Sequence, residues 1–165
     1  MKILFQGFRL GAILSFPIVI GLFLPHVLRA AEIPRFTVVA KDLTALSIVL
    51  PKATSPEQLK ALVHEFRKAR KGNYLHKMIP PTTKGGKMGD YAIVWILVFS
   101  EPEWATAEKL KKFMKASLKN SQDKKSDKEY VKHVKAEYYY SALEEYGNLG
   151  YDDGVVRSPG YQKLF

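Results

Sequence analysis

The chain has 165 residues, a formal charge of +10 at pH 7 and no cysteine. This length leaves room for one domain, and the content of 47% hydrophobic and 25% charged residues is typical of a globular protein rather than a disordered one. The lack of cysteine excludes disulfide bonds, thiolate catalysis, iron–sulfur ligation and c-type haem attachment.

The first 30 residues have the layout of a secretory signal peptide. Lys2 and Arg9 give a positive start, Ala12–Leu28 is an uncharged apolar core, and the composition changes after Ala30. Cleavage after Ala30 would leave a single domain, residues 31–165, with 23 basic and 16 acidic residues and a charge of +7. We therefore predict an exported protein, periplasmic or secreted. An N-terminal membrane anchor is the alternative, although two prolines interrupt a segment that barely reaches the roughly 20 residues of a span.

The most apolar part of the predicted domain is Tyr91–Phe99, an unbroken run whose two alternating faces are both apolar. Its β-branched and aromatic residues predict a strand that is buried on both sides. Two shorter apolar runs, Phe36–Ala40 and Ala45–Leu50, precede it. These form either one bent strand or a tight pair.

Two amphipathic helices are predicted around this strand. Ser55 and Pro56, with Gln58 three residues after the serine, are the signature of a capping box with proline at the first helical position. Apolar residues follow at helical spacing until Gly72, which ends the helix. The second helix is predicted over Trp104–Leu118, with an apolar inner side and a lysine-rich outer side.

Three further segments complete the domain. Residues 72–89 are predicted to form a long loop, and residues 120–128 a lysine-rich linker. Tyr130–Tyr140 alternates as a half-exposed edge strand would, with lysines that discourage pairing with other chains. Residues 141–165 form an aromatic tail with too many large apolar groups to be disordered.

The predicted fold class is α/β, with α+β as the alternative. We expect a two-layer sandwich with a sheet of about three strands in the order β-α-β-α-β. Both helices would cover one face, and the aromatic tail of residues 141–165 would cover the other. A second subunit is the alternative cover for that face.

Two segments, VLPKATSPEQLKALVHEFRKARK and YAIVWILVFSEPEWAT, contain a strand that ends in proline, a capped helix and an aromatic strand that leads to a tryptophan near a helix start. In these features the chain resembles small exported bacterial α/β proteins of unknown function. The resemblance covers about half of the predicted mature chain and consists of fold-forming residues. It implies an α/β sandwich in the bacterial envelope and brings no catalytic residues.

Candidate catalytic groups are few. Glu101 and Glu103 follow the central strand, where open α/β sheets bind ligands, and acid–base chemistry there would need His76 or His133 nearby. The simpler interpretation is that the two glutamates favour a helix N-terminus through its dipole. No two histidines have a metal-ligand spacing, and no Gly-x-Ser-x-Gly motif offers a nucleophile. We therefore predict no catalytic, metal-binding or cofactor-binding residues.

A basic surface remains as the candidate binding site. Its lysines are spread over the second helix, the linker and the alternating segment: Lys109, Lys112, Lys115, Lys119, Lys124, Lys125, Lys132 and Lys135. One interpretation is a solvated face, and the other is contact with phospholipid or lipopolysaccharide head groups or with acidic proteins. Export argues against nucleic acid as the partner, and the preference for lysine over arginine indicates diffuse charge rather than bidentate phosphate recognition.

Three functions are consistent with these features. The first is a non-catalytic interaction module whose basic face binds an anionic envelope partner. The second is a structural envelope protein that self-associates through its strands, for example as a homodimer. The third is a hydrolase that uses Glu101 or Glu103 with a loop or strand histidine.

Overall fold

The computed structural model describes residues 31–84, 89–118, 125–154 and 156–165. Within these ranges the chain forms a single sheet of six strands with three α-helices. The elements in chain order are β1 (Thr37–Asp42), β2 (Ala45–Val49), α1 (Pro56–Lys71), β3 (Val94–Phe99), α2 (Ala107–Leu118), α3 (Lys125–Lys132), β4 (Ala136–Tyr140), β5 (Glu145–Leu149) and β6 (Gln162–Lys163). Short 3₁₀ turns at Leu75–Lys77 and Pro102–Trp104 lie before β3 and α2.

The strands lie in the sheet in the same order as in the chain. β1 and β2 form an antiparallel hairpin, which settles the two short apolar runs as a tight pair rather than a bent strand. β2 and β3 are parallel, because α1 carries the chain back to the end where β2 began. The pairs from β3 to β6 are all antiparallel.

The mixed α/β class is confirmed, but the prediction of about three strands in the order β-α-β-α-β is wrong. The order among the described residues is β-β-α-β-α-α-β-β-β. The predicted edge strand Tyr130–Tyr140 begins as the end of α3, and only Ala136–Tyr140 is a strand. That strand lies inside the sheet, between β3 and β5. α3 also contains residues 125–128 of the predicted linker, whose residues 120–124 lie outside the description.

The helices cover both faces of the sheet, whereas the prediction placed them on one. α1 packs on one face through Leu62, Val63, Phe66 and Ala69. α2 and α3 pack on the other face through Leu110, Phe113, Met114, Tyr130 and Val131. Successive residues of β3 point to opposite faces, and both sets are apolar, so each face needs its own helical cover.

Residues 141–165 extend the sheet, although the prediction had them cover a face. β5 pairs with β4, and the short β6 pairs with β5. Side chains from this segment reach both cores: Phe165 packs on the α1 side and Tyr151 on the α2 side. Gly147 leaves the space for Phe165, because a Cβ at this glycine would lie 2.5 Å from the ring and from Val63.

The two ends of the sheet differ, and we call them the cleft end and the turn end. The cleft end holds the carboxyl ends of β2 and β3 and the start of β4. The turn end holds the turns that join β1 to β2 and β4 to β5, and the start of β3. α1 runs from the cleft end to the turn end: Leu59 lies near Lys135, and Arg70 reaches Glu145 at the start of β5.

Candidate functional site

The outer side of α2 carries part of the predicted basic face. Lys112 and Lys115 of that face are exposed there, together with Lys111, which was not among the eight predicted lysines. No acidic side chain among the described residues forms an ion pair with these three. Phe113 packs on Trp95, near the start of β3, with 5.2 Å between the ring centroids. The second half of α2 therefore lies toward the turn end, and its free charge points to solvent on that side of the molecule.

The two lysines at the end of α3 and just beyond it, Lys132 and Lys135, behave differently. Lys132 pairs with Glu129 at 2.8 Å, and Lys135 pairs with Glu101 at 3.4 Å. Both lysines therefore have a local counter-charge, and both line the clefts at the cleft end. The eight predicted lysines do not form one continuous surface of free charge.

Three of the predicted lysines lie in or next to the segment that follows α2. Lys119 and Lys124 are outside the described residues. Lys125 is the first residue of α3, and nothing is described of its side chain. Their contribution to the basic face is inferred from the sequence alone.

A cleft of about 360 Å³ lies at the cleft end, in the position where open α/β sheets bind ligands. Its apolar lining residues are Leu50, Pro51, Leu59 and Phe99, and its charged ones are Lys52, Glu101 and Lys135. The Oε2 atom of Glu101 is buried and has no hydrogen-bond partner. Lys135 faces the other carboxylate oxygen, so the charge of Glu101 is balanced although one of its oxygens is not satisfied.

His133 joins this cleft to an aromatic stack. Its ring lies 3.9 Å from that of Trp104 and is tilted by only 9°. Lys109 Nζ lies 3.7 Å from the centroid of the same indole. Two groups this close to one centroid must occupy opposite faces of the ring, so Trp104 is sandwiched between two basic side chains. Lys109 therefore contacts Trp104 and does not extend the predicted basic face into solvent.

The residues of the hydrolase hypothesis come together only in part. His133 Nδ1 lies 3.9 Å from Glu101 Oε2, whereas Glu103 is exposed on a 3₁₀ turn and His76 is exposed beyond the end of α1. A separation of 3.9 Å is too long for a hydrogen bond, so Glu101 does not orient the imidazole. Among the described residues, no hydroxyl group hydrogen-bonds to His133, and the geometry lacks the nucleophile that such a base would activate.

The described ranges also bear on metal binding and on membrane spanning. Within them, no three His, Asp or Glu side chains are arranged to hold a metal ion. None of the helices there combines the length and the apolar character needed to traverse a bilayer.

Glu137 is a perturbed group that the sequence did not indicate. It is fully buried in β4 on the α2 side, and it accepts hydrogen bonds from Trp95 Nε1 at 3.0 Å and Asn148 Nδ2 at 2.9 Å. Burial raises the pKa of Glu137 to about 7, against the opposing effect of these donors. The alternating pattern predicted a half-exposed edge strand for this segment and gave no sign that Glu137 is buried. Its burial follows from the central position of β4.

No protein-family model matches this chain, and neither a curated protein nor a solved structure is significantly similar to it.

Proposed function

We propose that this chain is an exported, non-catalytic interaction module that binds anionic partners of the bacterial envelope through its basic surface. The observation that carries the proposal is a set of exposed lysines on α2, Lys111, Lys112 and Lys115, with which no acidic side chain of the described ranges forms an ion pair. The spacing of these residues places all three on the outer side of one regular helix. The charge of +7 on residues 31–165 acts in the same direction.

The expected strength of such binding follows from the charge. A lysine near an anionic surface contributes about 1 kcal/mol, and the effect falls off within a Debye length of about 10 Å at 0.1 M salt. Three lysines on one helix would give weak, salt-sensitive attachment. Envelope location rests on the signal-like residues 1–30, which lie outside the described part of the chain.

The test compares two triple variants with the same change of charge. In the first, Lys111, Lys112 and Lys115 are replaced by Gln; in the control, Lys52, Lys60 and Lys163, which lie on other faces, are replaced by Gln. Retention on phosphatidylglycerol vesicles is measured at ionic strengths of about 0.05 M and about 0.5 M. We expect the α2 variant to bind at least about tenfold more weakly than the control at low salt. Equal binding by the two variants, or binding that is insensitive to salt, would contradict the proposal.

The self-associating alternative receives little support from the sheet edges. β1, at one edge, is interrupted by a bulge between Val38 and Ala40 and carries Lys41. β6, at the other edge, has two residues, one of them Lys163. Bulges, short strands and lysines are the devices that keep edge strands from pairing with other chains. A monomeric mass at high protein concentration is the expected result.

A further inference from the structure

Three aliphatic side chains project into solvent from the turn end. Leu143, in the turn between β4 and β5, is 96% exposed, and Leu43, in the turn between β1 and β2, is 59% exposed. Ile93, just before β3, is 38% exposed. Neighbouring strands lie about 4.8 Å apart, so the sheet order places these side chains in a row with roughly 7 Å between neighbours.

Packing does not explain the two leucines. Leu43 has a φ of +49°, in the left-handed region where a hairpin turn normally carries glycine or asparagine. A leucine at this position is unfavourable for the backbone and also leaves an apolar side chain in water. Leu143 is almost fully exposed, and its side chain contributes no burial to either core.

The backbone at all three positions is held by specific hydrogen bonds. Trp95 N donates to the carbonyl of Thr44, next to Leu43, at 3.0 Å. Thr82 Oγ1 donates to the carbonyl of Ile93 at 2.6 Å. Ser141 Oγ accepts from the backbone N–H of Leu143 at 3.2 Å. The apolar side chains are therefore displayed on fixed turns.

Three aromatic residues lie just behind the turns. Trp95, Tyr139 and Tyr146 are partly buried, and they form one register row across β3, β4 and β5. Trp95 packs on Phe113 and its indole N–H is bonded to the buried Glu137, so this row belongs to the core on the α2 side. The apolar surface of the turn end therefore consists of the protruding turn residues.

The charge at this end is complementary to an anionic surface. Exposed lysines stand at the end of α1, in the loop before β3 and on the second half of α2, namely Lys71, Lys84 and Lys115. Asp90 and Glu144 are the exposed acidic residues that face them from the same loop and from the turn after β4. Lysines around this end would contact the phosphate groups of lipids, while the turns would extend deeper into the bilayer.

We propose that the turn end docks on an anionic lipid bilayer, with Leu43, Ile93 and Leu143 inserted below the head groups. This inference rests on the proposed function, since the lysines of α2 would contact the same membrane. A row of separated, protruding side chains fits a planar bilayer, whereas an apolar peptide would need a groove. The turn end thus adds apolar insertion to the electrostatic attachment.

The absence of native cysteine allows a clean test of insertion. The protein recovered after export is labelled with the environment-sensitive fluorophore NBD at Leu143→Cys or, as a control, at Ile33→Cys. Ile33 is 40% exposed and lies at the cleft end, near Pro51. With phosphatidylglycerol vesicles we expect a blue shift, a several-fold rise in emission and quenching by doxyl-labelled lipid at position 143 only.

A second variant measures the contribution of the turns to affinity. The double substitution Leu43→Ser and Leu143→Ser removes only exposed side chains, so the fold is expected to persist. At high salt, where attraction between charges is screened, we expect it to bind vesicles at least about tenfold more weakly than wild type.

The outcomes separate this inference from the proposed function. If the protein binds vesicles but the label at position 143 stays in an aqueous environment, insertion is overturned and electrostatic binding stands. If vesicles are not bound but an acidic envelope protein is, the bilayer is overturned as the partner while the proposed function stands. Failure to bind any anionic partner at low salt overturns both.

Discussion

Trp95 donates a hydrogen bond of 3.0 Å to the buried carboxylate of Glu137, diagonally across the ladder between β3 and β4. Asn148 donates to the other carboxylate oxygen from β5. Both donors are neutral, and no cation among the described residues forms an ion pair with Glu137. A carboxyl group in the core without a counter-charge retains its proton to unusually high pH.

This contact predicts an inverted pH dependence of stability. Burial raises the pKa of Glu137 from 4.5 to about 7. Between these two values the folded protein keeps a proton that the unfolded chain has released, so stability falls as pH rises through this window and levels off above it. The full effect is on the order of 3 kcal/mol.

Urea denaturation at several pH values between 4.5 and 8 would measure this slope. Glu137→Gln imitates the protonated side chain and should remove it, so the variant is expected to be the more stable protein at the alkaline end. A wild type and a variant that change in parallel with pH would show that Glu137 titrates normally.

Arg70 is expected to be a major contributor to the α1 side of the fold. Its Nη2 atom lies 2.8 Å from Glu145 Oε1, its Nε atom donates to Tyr138, and its guanidinium lies over the ring of Tyr140. Arg70→Ala would remove the shortest ion pair of a largely buried carboxylate and leave it only the longer contact with Arg67 and the hydrogen bond from Tyr138. We expect a loss of about 2–3 kcal/mol in the free energy of unfolding.

Arg67 provides the matched control for this substitution. It contacts the same carboxylate of Glu145 at 3.3 Å, but its side chain is 35% exposed. We expect Arg67→Ala to cost less than about 1 kcal/mol. Equal losses for the two variants would argue against the buried pair.

Burial acts to raise the pKa of Glu145, but the hydrogen bonds from Arg70 and Tyr138 outweigh this effect and lower the pKa. This contribution is therefore lost as pH falls through the lowered value.

Gly147 is expected to tolerate no side chain. A Cβ there would meet the ring of Phe165 and a methyl group of Val63, each at 2.5 Å. Gly147→Ala should destabilise the protein by about 1–3 kcal/mol through overpacking. In a double-mutant cycle with Phe165→Ala, measured by urea denaturation, the cost of the alanine should drop by at least about 0.5 kcal/mol. Strict additivity would mean that Phe165 does not occupy this space in solution.

The capping box of α1 is expected to contribute measurably to stability. Ser55 Oγ accepts from the backbone N–H of Gln58, and the Gln58 side chain accepts from the backbone N–H of Ser55. Ser55→Ala should cost about 1 kcal/mol in urea denaturation. Ser117→Ala, at an exposed position on α2, serves as the control and should be nearly neutral. A neutral Ser55→Ala would show that the cap contributes little.

The parts of the fold that sequence reasoning predicted are those set by local signals. The cap of α1, the apolar run of β3 and the helical spacing in α2 each depend on residues within one element. The connection through α1 is compatible with a parallel pair of β2 and β3 but does not dictate it, and the order of the strands does not follow from the sequence. The side of the sheet on which each helix packs is decided by long-range contacts, and no residue in α2 marks it.

The segment Tyr130–Tyr140 shows why the second half of the sheet was mispredicted. Its alternation is compatible with one long strand, but Tyr130, Val131 and Val134 are buried beside α2, at the end of α3 and just beyond it. A charge on a strand normally marks an exposed side, yet Glu137 is fully buried. Its partners come from β3 and β5, far away in the chain. The same limit applies to Lys135 of the candidate site, because its ion-pair partner Glu101 lies far away in the chain. The pair of Lys132 with Glu129 is local, but it depends on this segment being a helix rather than a strand.

The polypeptide enters the sheet at the cleft end, where Thr37 pairs with Val49, roughly 20 Å from the turns at the far side of a six-residue strand. If residues 1–30 are an uncut membrane anchor, the cleft end would face that membrane and the leucine-bearing turns would point away from it. If they are a signal peptide that is cleaved after Ala30, the domain would be free to turn over, and the leucine-bearing turns could approach the same membrane. Under the anchor and signal hypotheses alike, the connection at Thr37 would therefore decide which way the turns face.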